Sequence, residues 1–344
     1  MTPGPLIWAA ILLTVLKTSG KYRYRRILLF SLAPLLFLAI AGACYQAIAS
    51  RMDSQRFPHP GRLVSAGSFR LNLYCIGQGS PTVVLEAGFG DSLDSWRRVQ
   101  PDIARFARVC SYDRAGYGYS DPGPMPRTSD RIASELHRAL RSAGEEPPYV
   151  LAGHSFGGYS VRVFNGKYAD EIAGLVLIDA TEEDQYRLLP RAWADMSAAM
   201  RRRARRQAFW APLYIGLGIA RLQLRMEGYE APPVLLQSKY LKARASELQN
   251  IEVSAEQARA ADHIGDKPLV VLTAGRSIDT ALRAVLSEQD QKAYAETWVN
   301  DVQPRLARLS TRSRRVVVPD SGHDMPADRP DSIVNTVREL CAPR

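Results

Sequence analysis

The sequence is poor in the residue types and spacings that bind metals or nucleotides. It has only five histidines and four cysteines in 344 residues, with no Cys-x-x-Cys pair, no Cys/His ligand spacing and no glycine-rich phosphate loop. We therefore predict neither a metal nor an organic cofactor. The cysteines, at positions 44, 75, 110 and 341, do not amount to a disulfide framework.

The excess of positive charge is concentrated near the N-terminus. The formal net charge is +10, and residues 1–62 contribute +7 of it, with eight Lys or Arg against Asp53 alone. The remainder is only mildly basic, so we predict no nucleic-acid partner. A second basic run, residues 201–206, has two interpretations, a solvated helix face and a contact with anionic lipid.

Residues 27–50 form a stretch of 24 residues without a charge, which is enough to cross a bilayer as a helix. We predict a single transmembrane helix there, after a cytoplasmic basic and apolar N-terminus at 1–26 and before a linker at 51–61. The cations between Lys17 and Arg26 favour the cytoplasm, which puts the rest of the chain in the periplasm or outside the cell.

Two other arrangements of this N-terminal segment stay open. The shorter apolar stretch at residues 6–16 would make a membrane hairpin if it also crossed, but the basic loop would then be translocated. Ala47-Ile48-Ala49 resembles a signal-peptidase site, although the apolar region is longer than that of a typical cleaved signal.

From residue 62 onward, short apolar or β-branched runs alternate with helical patterns, which predicts an α/β fold with a mostly parallel sheet. We predict an opening hairpin and six further buried strands, eight in all. The predicted strands are Leu63–Ala66, Phe69–Ile76, Thr82–Glu86, Arg108–Tyr112, Tyr149–Ala152, Gly174–Ile178, Leu269–Thr273 and Arg315–Val318.

Residues 182–266 have a helical pattern and no convincing strand. An insertion of this length between sheet strands is usually functional. We predict a helical cap there, with residues 209–215 as its apolar part, on a core made of residues 62–181 and 267–344.

Residues 153–157 read Gly-His-Ser-Phe-Gly, between a predicted strand and a segment that can open a helix. Small residues allow the tight turn that exposes a serine hydroxyl at the sheet edge. This context predicts Ser155 as a nucleophile at a helix N-terminus.

A serine nucleophile needs a base, and the base needs an acid that orients it. His323 follows the last predicted strand, so we predict it as the base. Asp179 at the end of the strand after the serine and Asp279 after the next strand are both candidates for the acid. We favour Asp179 because the sheet fixes its position. His154 is interpreted as packing beneath the turn.

The oxyanion of an acyl-transfer intermediate needs two N–H donors. The backbone of Phe156, next to the nucleophile, is predicted to supply one of them. Phe89, in the glycine-containing loop after the third strand, is predicted to supply the other.

Together these residues resemble the α/β-hydrolase superfamily over residues 61–343. The segment 113–121, Asp-Arg-Ala-Gly-Tyr-Gly-Tyr-Ser-Asp, resembles the family turn after the fourth strand, and Ser321-Gly322-His323 resembles its histidine loop. Members place the acid after strand six, as Asp179 would be, or more often after strand seven, as Asp279 would be. Where many members have His-Gly after the third strand, this chain has Ala87-Gly88, so the Phe89 assignment depends on position alone.

The resemblance implies a hydrolase of esters, thioesters, amides or related acyl bonds, acting on a small-molecule or lipid-like acyl substrate. The apolar cap and the membrane helix favour an apolar one. The alternatives are carbon–carbon or peroxide chemistry with the same triad, and a ligand receptor without turnover. In this fold Cys75 and Cys110 lie on neighbouring strands; two buried thiols are expected there, with a disulfide as the alternative.

Overall fold

The computed structural model describes residues 32–53, 55–57, 60–228, 236–261, 263–276 and 286–342. These residues form two compact units. The first contains the described parts of Met1–Phe57 and Pro212–Ala231, and the second those of Pro58–Ala211 and Pro232–Arg344.

The second unit is built on an eight-stranded sheet, as the sequence predicts. The strand order is β1-β2-β4-β3-β5-β6-β7-β8. The pairs β1–β2 and β2–β4 are antiparallel, and all the other neighbouring pairs are parallel. The strands are β1 Arg62–Ser65, β2 Arg70–Ile76, β3 Thr82–Glu86, β4 Val109–Tyr112, β5 Tyr149–His154, β6 Ile172–Ile178, β7 Leu269–Ala274 and β8 Ser313–Val318.

Thirteen α-helices lie in the described part of the chain, some of them single turns. They are α1 Leu32–Asp53, α2 Gln100–Ile103, α3 Ser129–Ala143, α4 Gly157–Lys167, α5 Gln185–Leu188, α6 Arg191–Gly216, α7 Ile219–Met226, α8 Ser238–Gln249, α9 Ile251–Ala260, α10 Glu288–Thr297, α11 Gln303–Leu306, α12 Met325–Asp328 and α13 Pro330–Cys341. The 3₁₀ turns Leu93–Trp96, Ala169–Glu171 and Ala307–Leu309 and the π-helical turn Trp298–Val302 complete the set.

Helices cover both faces of the sheet, which explains why its central strands read as continuous apolar runs. Along β5, Tyr149 and Leu151 face the apolar cluster under α3, α4 and α9, whereas Val150 and Ala152 face the cluster under α2 and α13. The prediction of a buried last strand is wrong for β8. It lies at the edge of the sheet, and only Val318 of its six residues is buried.

Among its described residues, the insertion after β6 contains helices α5 to α9, joined by turns and loops, and no strand. The cap boundaries at 182 and 266 stay a prediction. Within the insertion, the described residues of Pro212–Ala231 belong to the first unit together with α1, while α8 and α9 belong to the second unit together with the sheet.

The expectation of two buried thiols is wrong, because Cys75 and Cys110 form a disulfide. They are directly opposite each other in the antiparallel pair of β2 and β4, with Cα atoms 4.1 Å apart. This register brings the sulfur atoms within bonding distance, which no local sequence pattern reveals. Cys44 and Cys341 are free.

Removing this disulfide by a double Cys75→Ala, Cys110→Ala substitution is expected to lower the free energy of unfolding by about 2–4 kcal/mol, because the unfolded chain gains entropy. Urea unfolding measures the change. The control is Cys341→Ser, which breaks no bond and is expected to leave the unfolding midpoint unchanged. Reaction of all four cysteines with a thiol reagent in the denatured, unreduced protein would contradict the disulfide.

Candidate active site

The turn between β5 and α4 carries Ser155 in a conformation that few non-glycine residues adopt. Ser155 has φ 52°, and its N–H donates to the carbonyl of Ile178 on the neighbouring strand at 3.1 Å. A Cβ atom at Gly153 would lie 2.7 Å from the carbonyl oxygen of Gly157, and one at Gly157 would lie 2.6 Å from that of Glu86. The glycines are therefore required by close packing, and the strained turn projects the serine hydroxyl from the sheet edge.

The structure brings Ser155, His323 and Asp179 together, although they are far apart in sequence. His323 Nε2 lies 2.9 Å from Ser155 Oγ, and His323 Nδ1 lies 2.7 Å from Asp179 Oδ2. The carboxylate accepts only, so Nδ1 carries a proton and Nε2 faces the hydroxyl as an acceptor. This is the hydrogen-bond connectivity that a base-activated serine needs. The other candidate acid, Asp279, lies outside the described residues.

Asp179 is fixed by two donors in addition to the histidine. It follows β6 with φ 41° and is almost fully buried, with 1% of its surface exposed. Its Oδ1 accepts hydrogen bonds from the backbone N–H of Ala274 at 3.0 Å and from Trp298 Nε1 at 2.8 Å. No local motif in the sequence marks Trp298, which comes from a helical segment 119 residues away.

His154 does more than pack beneath the turn. Its Nε2 lies 2.8 Å from the carbonyl oxygen of His323, so that nitrogen must carry the proton and donate. Burial, and next the proximity of His323, lower the pKa of His154, which favours the neutral ring. Gly88 lies beside both Asp91 and His154, because a Cβ at Gly88 would lie within 3 Å of Asp91 Oδ2 and of His154 Nδ1. Burial raises the pKa of Asp91. His154 therefore holds the backbone of the histidine loop.

Substitution of His154 is expected to lower kcat according to whether the new side chain can still donate to His323. His154→Leu removes one of the two donors to the His323 carbonyl and leaves the N–H of Met325 at 2.9 Å, so the loss of one hydrogen bond, worth about 0.5–1.5 kcal/mol, should lower kcat by about two- to tenfold. His154→Gln retains an amide N–H and should lose less. Steady-state kinetics on a 4-nitrophenyl ester give kcat and KM for both variants. Equal activity in the two would show that the hydrogen bond does not position His323.

The two predicted oxyanion donors have backbone N–H groups that no other described group engages. Within the described part of the chain, the backbone N–H groups of Phe89 and Phe156 donate to no protein acceptor. Phe156 precedes α4, so its N–H belongs to the positive end of a helix. The buried Arg114 holds the other loop, because its Nη2 donates to the carbonyls of Ala87 and, at 2.7 Å, Gly88.

Arg114 also links that loop to the sheet and to α8. Its Nε donates to Glu86 at 2.8 Å and its Nη1 to Glu247 at 2.8 Å, and all three side chains are almost fully buried. The Tyr117 hydroxyl donates to the same Glu247 carboxylate at 2.7 Å. The segment 113–121 thus contributes the arginine that fixes the loop of the predicted donor Phe89, and no motif in the sequence reveals this role.

The described residues contain one cluster of potential metal ligands, formed by Cys75, Cys110 and Glu145. Both sulfur atoms belong to the disulfide, and Glu145 pairs with Arg108 at 2.6 Å. A disulfide offers no thiolate, so these side chains do not suit a metal ion.

Comparison with known proteins agrees with this fold. A family profile described as the α/β hydrolase fold matches residues 81–227. The uncharacterized protein YqjL of Bacillus subtilis is 27% identical over 256 residues, which are 74% of this chain and 81% of YqjL. The 2-hydroxy-6-oxo-2,4-heptadienoate hydrolase of Pseudomonas putida is 33% identical over 124 residues, 35% of this chain and 44% of that enzyme.

Among solved structures, a thermophilic esterase from Thermogutta terrifontis is similar with a TM-score of 0.56 and 23% identity. The similarity covers 81% of this chain and 96% of the esterase. At this level of identity the likeness concerns the fold. The order of the eight strands, the matching profile and these relatives together show that the chain has the α/β-hydrolase fold.

Proposed function

We propose that the protein is a serine hydrolase that cleaves a carboxylic ester or a related acyl bond. The observation that carries this proposal is the hydrogen-bonded chain from Ser155 through His323 to Asp179, with separations of 2.9 and 2.7 Å. An acid, a base and a nucleophile in this arrangement activate a serine for attack on a carbonyl.

In the proposed reaction, Ser155 Oγ attacks the carbonyl carbon while His323 Nε2 takes its proton. The oxyanion of the tetrahedral intermediate accepts hydrogen bonds from the N–H groups of Phe89 and Phe156. The intermediate collapses to an acyl-enzyme, and His323 gives its proton to the leaving oxygen. Water then repeats the sequence, losing a proton to His323 and releasing the acid and free Ser155.

The test is labelling with a fluorophosphonate, which reacts with activated serines. Wild-type protein should be labelled and Ser155→Ala should not, while both keep the same circular dichroism. A series of 4-nitrophenyl esters of increasing acyl length then tests the proposed apolar substrate. A preference for the shortest esters would contradict the apolar substrate alone, whereas a wild type that binds ligand but is never labelled would favour a receptor without turnover.

We also propose that α1 anchors the protein in a membrane with the catalytic domain outside the cytoplasm. Its 22 described residues, Leu32–Asp53, are long and apolar enough to cross a bilayer and are mostly exposed. The disulfide between Cys75 and Cys110 supports an oxidising compartment. A membrane-impermeant maleimide should label Cys341 in intact cells with a permeable outer membrane. Labelling only after lysis would contradict this topology.

A second candidate reaction is cleavage of a carbon–carbon bond beside a ketone with the same triad. The relative from Pseudomonas putida supports it, because its name gives a keto-dienoate and not an ester as the substrate. Loss of the ultraviolet absorption of such a dienoate, compared with ester hydrolysis by the same preparation, distinguishes the two reactions.

A further inference from the structure

Helix α8 lies against the loop that carries the proposed oxyanion donor Phe89. The Tyr240 hydroxyl donates to the carbonyl of Gly90 at 3.0 Å. One turn further along α8, the Arg244 guanidinium lies over the Phe89 ring, 4.9 Å from its centroid. A Cβ at Gly90 would lie 3.4 Å from Arg244 Nε, so the cation borders the loop on this side.

Arg244 differs from the buried arginines of the same unit, because it has no acidic partner among the described residues. Within the described ranges its guanidinium makes no ion pair and no hydrogen bond. Arg114 and Arg162, by contrast, each pair with a glutamate at 2.8 and 2.6 Å. Arg244 is half-buried, and a partly desolvated cation gains most from an anion that arrives with the ligand.

The geometry suits a planar or tetrahedral anion. A guanidinium lying on an aromatic ring keeps the N–H groups at its edge free, and their fork matches carboxylate and phosphate oxygens. We propose that Arg244 binds an anionic group, a carboxylate or a phosphate, of the substrate whose carbonyl reacts at Ser155. This inference rests on the proposed serine hydrolase.

Two matched substrate pairs test Arg244 and distinguish the sources of the anion. The first pair is 1-oleoylglycerol and 1-oleoylglycerol 3-phosphate, and the second is 4-nitrophenyl heptanoate and mono(4-nitrophenyl) adipate. In one pair or the other, wild type should prefer the anionic member. Arg244→Gln should lower kcat/KM for that member by about tenfold, mainly through KM, and leave the neutral member within about threefold.

Lys242→Gln is the matched control, because it removes an exposed cation from the same helix and should change neither pair. Equal losses on both members of a pair in Arg244→Gln, or no preference in wild type, would overturn the anion subsite. Fluorophosphonate should still label Ser155 in Arg244→Gln, so a failed anion subsite can be distinguished from a failed serine-hydrolase proposal. The serine-hydrolase proposal fails only if wild type is not labelled.

A second, independent inference concerns α7 in the first unit. This helix packs against α1. A Cβ at Gly42 would lie 2.4 Å from the carbonyl oxygen of Leu217, just before α7, without room for a larger side chain. Arg221 pairs with Asp53 at 2.7 Å and donates to Gln46 at 3.1 Å. The charge of Arg221 is therefore balanced within this helix pair.

The opposite face of α7 is apolar, and no described residue covers it. Ile219, Leu222 and Met226 lie at helical spacing i, i+3 and i+7, and 45, 54 and 81% of their surfaces are exposed. The described residues of α1 expose apolar side chains in the same unit, including Leu35 and Leu38. Both helices of this unit, α7 and the helix proposed to lie in lipid, therefore expose apolar side chains.

We infer that the apolar face of α7 lies in the bilayer, in the leaflet at the C-terminal end of α1, so that the protein contacts lipid through two segments. Pairing of Arg221 with Asp53 removes an uncompensated charge that lipid would exclude. This inference rests on the proposed membrane anchor.

Site-directed labelling in phosphatidylcholine vesicles tests both helices. The native Cys44 on α1, in a Cys341→Ser background, carries a nitrobenzoxadiazole fluorophore in one sample. The other samples keep Cys341→Ser, add Cys44→Ser and carry one new cysteine each, which is Leu222→Cys, Met226→Cys or Glu227→Cys. Glu227 lies on the adjoining polar side of α7 and is the water-facing control. Lipids with a nitroxide on the acyl chain should quench the label at positions 44, 222 and 226 and spare position 227.

If position 44 is quenched but 222 and 226 behave like 227, lipid does not cover α7. The anchor would stand and this inference would be wrong, with a second copy of the chain as the remaining occupant to test by crosslinking. If position 44 is not quenched either, the anchor itself is wrong.

Discussion

Asp179→Asn is expected to lower kcat/KM for ester hydrolysis by about 10³–10⁴-fold while the fold remains intact. The reason lies in the two donors that hold Oδ1, Ala274 N–H and Trp298 Nε1, at 3.0 and 2.8 Å. They will keep the oxygen of an asparagine on their side, so its NH₂ group faces His323. The imidazole must then accept at Nδ1 and carry its proton on Nε2, where it can no longer take a proton from Ser155.

Two controls make this result specific. Asp320→Asn removes an exposed carboxylate from the same loop as His323 and should change kcat/KM by less than about twofold. Asp279→Asn tests the other acid that the sequence allows. Steady-state kinetics on a 4-nitrophenyl ester, with circular dichroism for the fold, measure all three variants. A large loss in Asp279→Asn together with a small one in Asp179→Asn would transfer the role of the acid to Asp279.

Local patterns in the sequence were sufficient to predict the strands of the sheet and the turn that carries Ser155. The central strands are buried on both faces, so they read as apolar runs, and the turn around Ser155 needs small residues at fixed spacing. The position of His323 could also be predicted, because the loop after the last strand lies at the sheet edge that carries Ser155. The strands and the turn depend on residues that are close together in the chain, whereas the position of His323 follows from the order of the strands.

The features that the sequence did not reveal depend on contacts between distant segments. The disulfide requires the register of β2 against β4, and the support of Asp179 comes from Trp298, 119 residues away. Arg114 meets Glu247 across 133 residues. No periodicity encodes such a pair, and each residue alone is compatible with an ordinary surface side chain.

Arg114→Leu is expected to lower the free energy of unfolding by about 3–5 kcal/mol, because it leaves Glu86 and Glu247 buried without their shared cation. The loop that carries the predicted oxyanion donor Phe89 also loses the hydrogen bonds from Arg114 to the carbonyls of Ala87 and Gly88, so activity should fall together with stability. Urea unfolding measures the first effect and kinetics below the transition measure the second.

The matched control is Arg97→Leu, which removes a cation from an exposed pair with Asp94 and should cost no more than about 0.5 kcal/mol. If Arg114→Leu alone unfolds the protein, the double variant Arg114→Leu, Glu247→Gln is measured instead, because it removes one of the two buried carboxylates that lose their cation. That double variant should regain part of the lost stability. If it is less stable than Arg114→Leu, the cost lies in lost packing of the arginine and not in unpaired carboxylates.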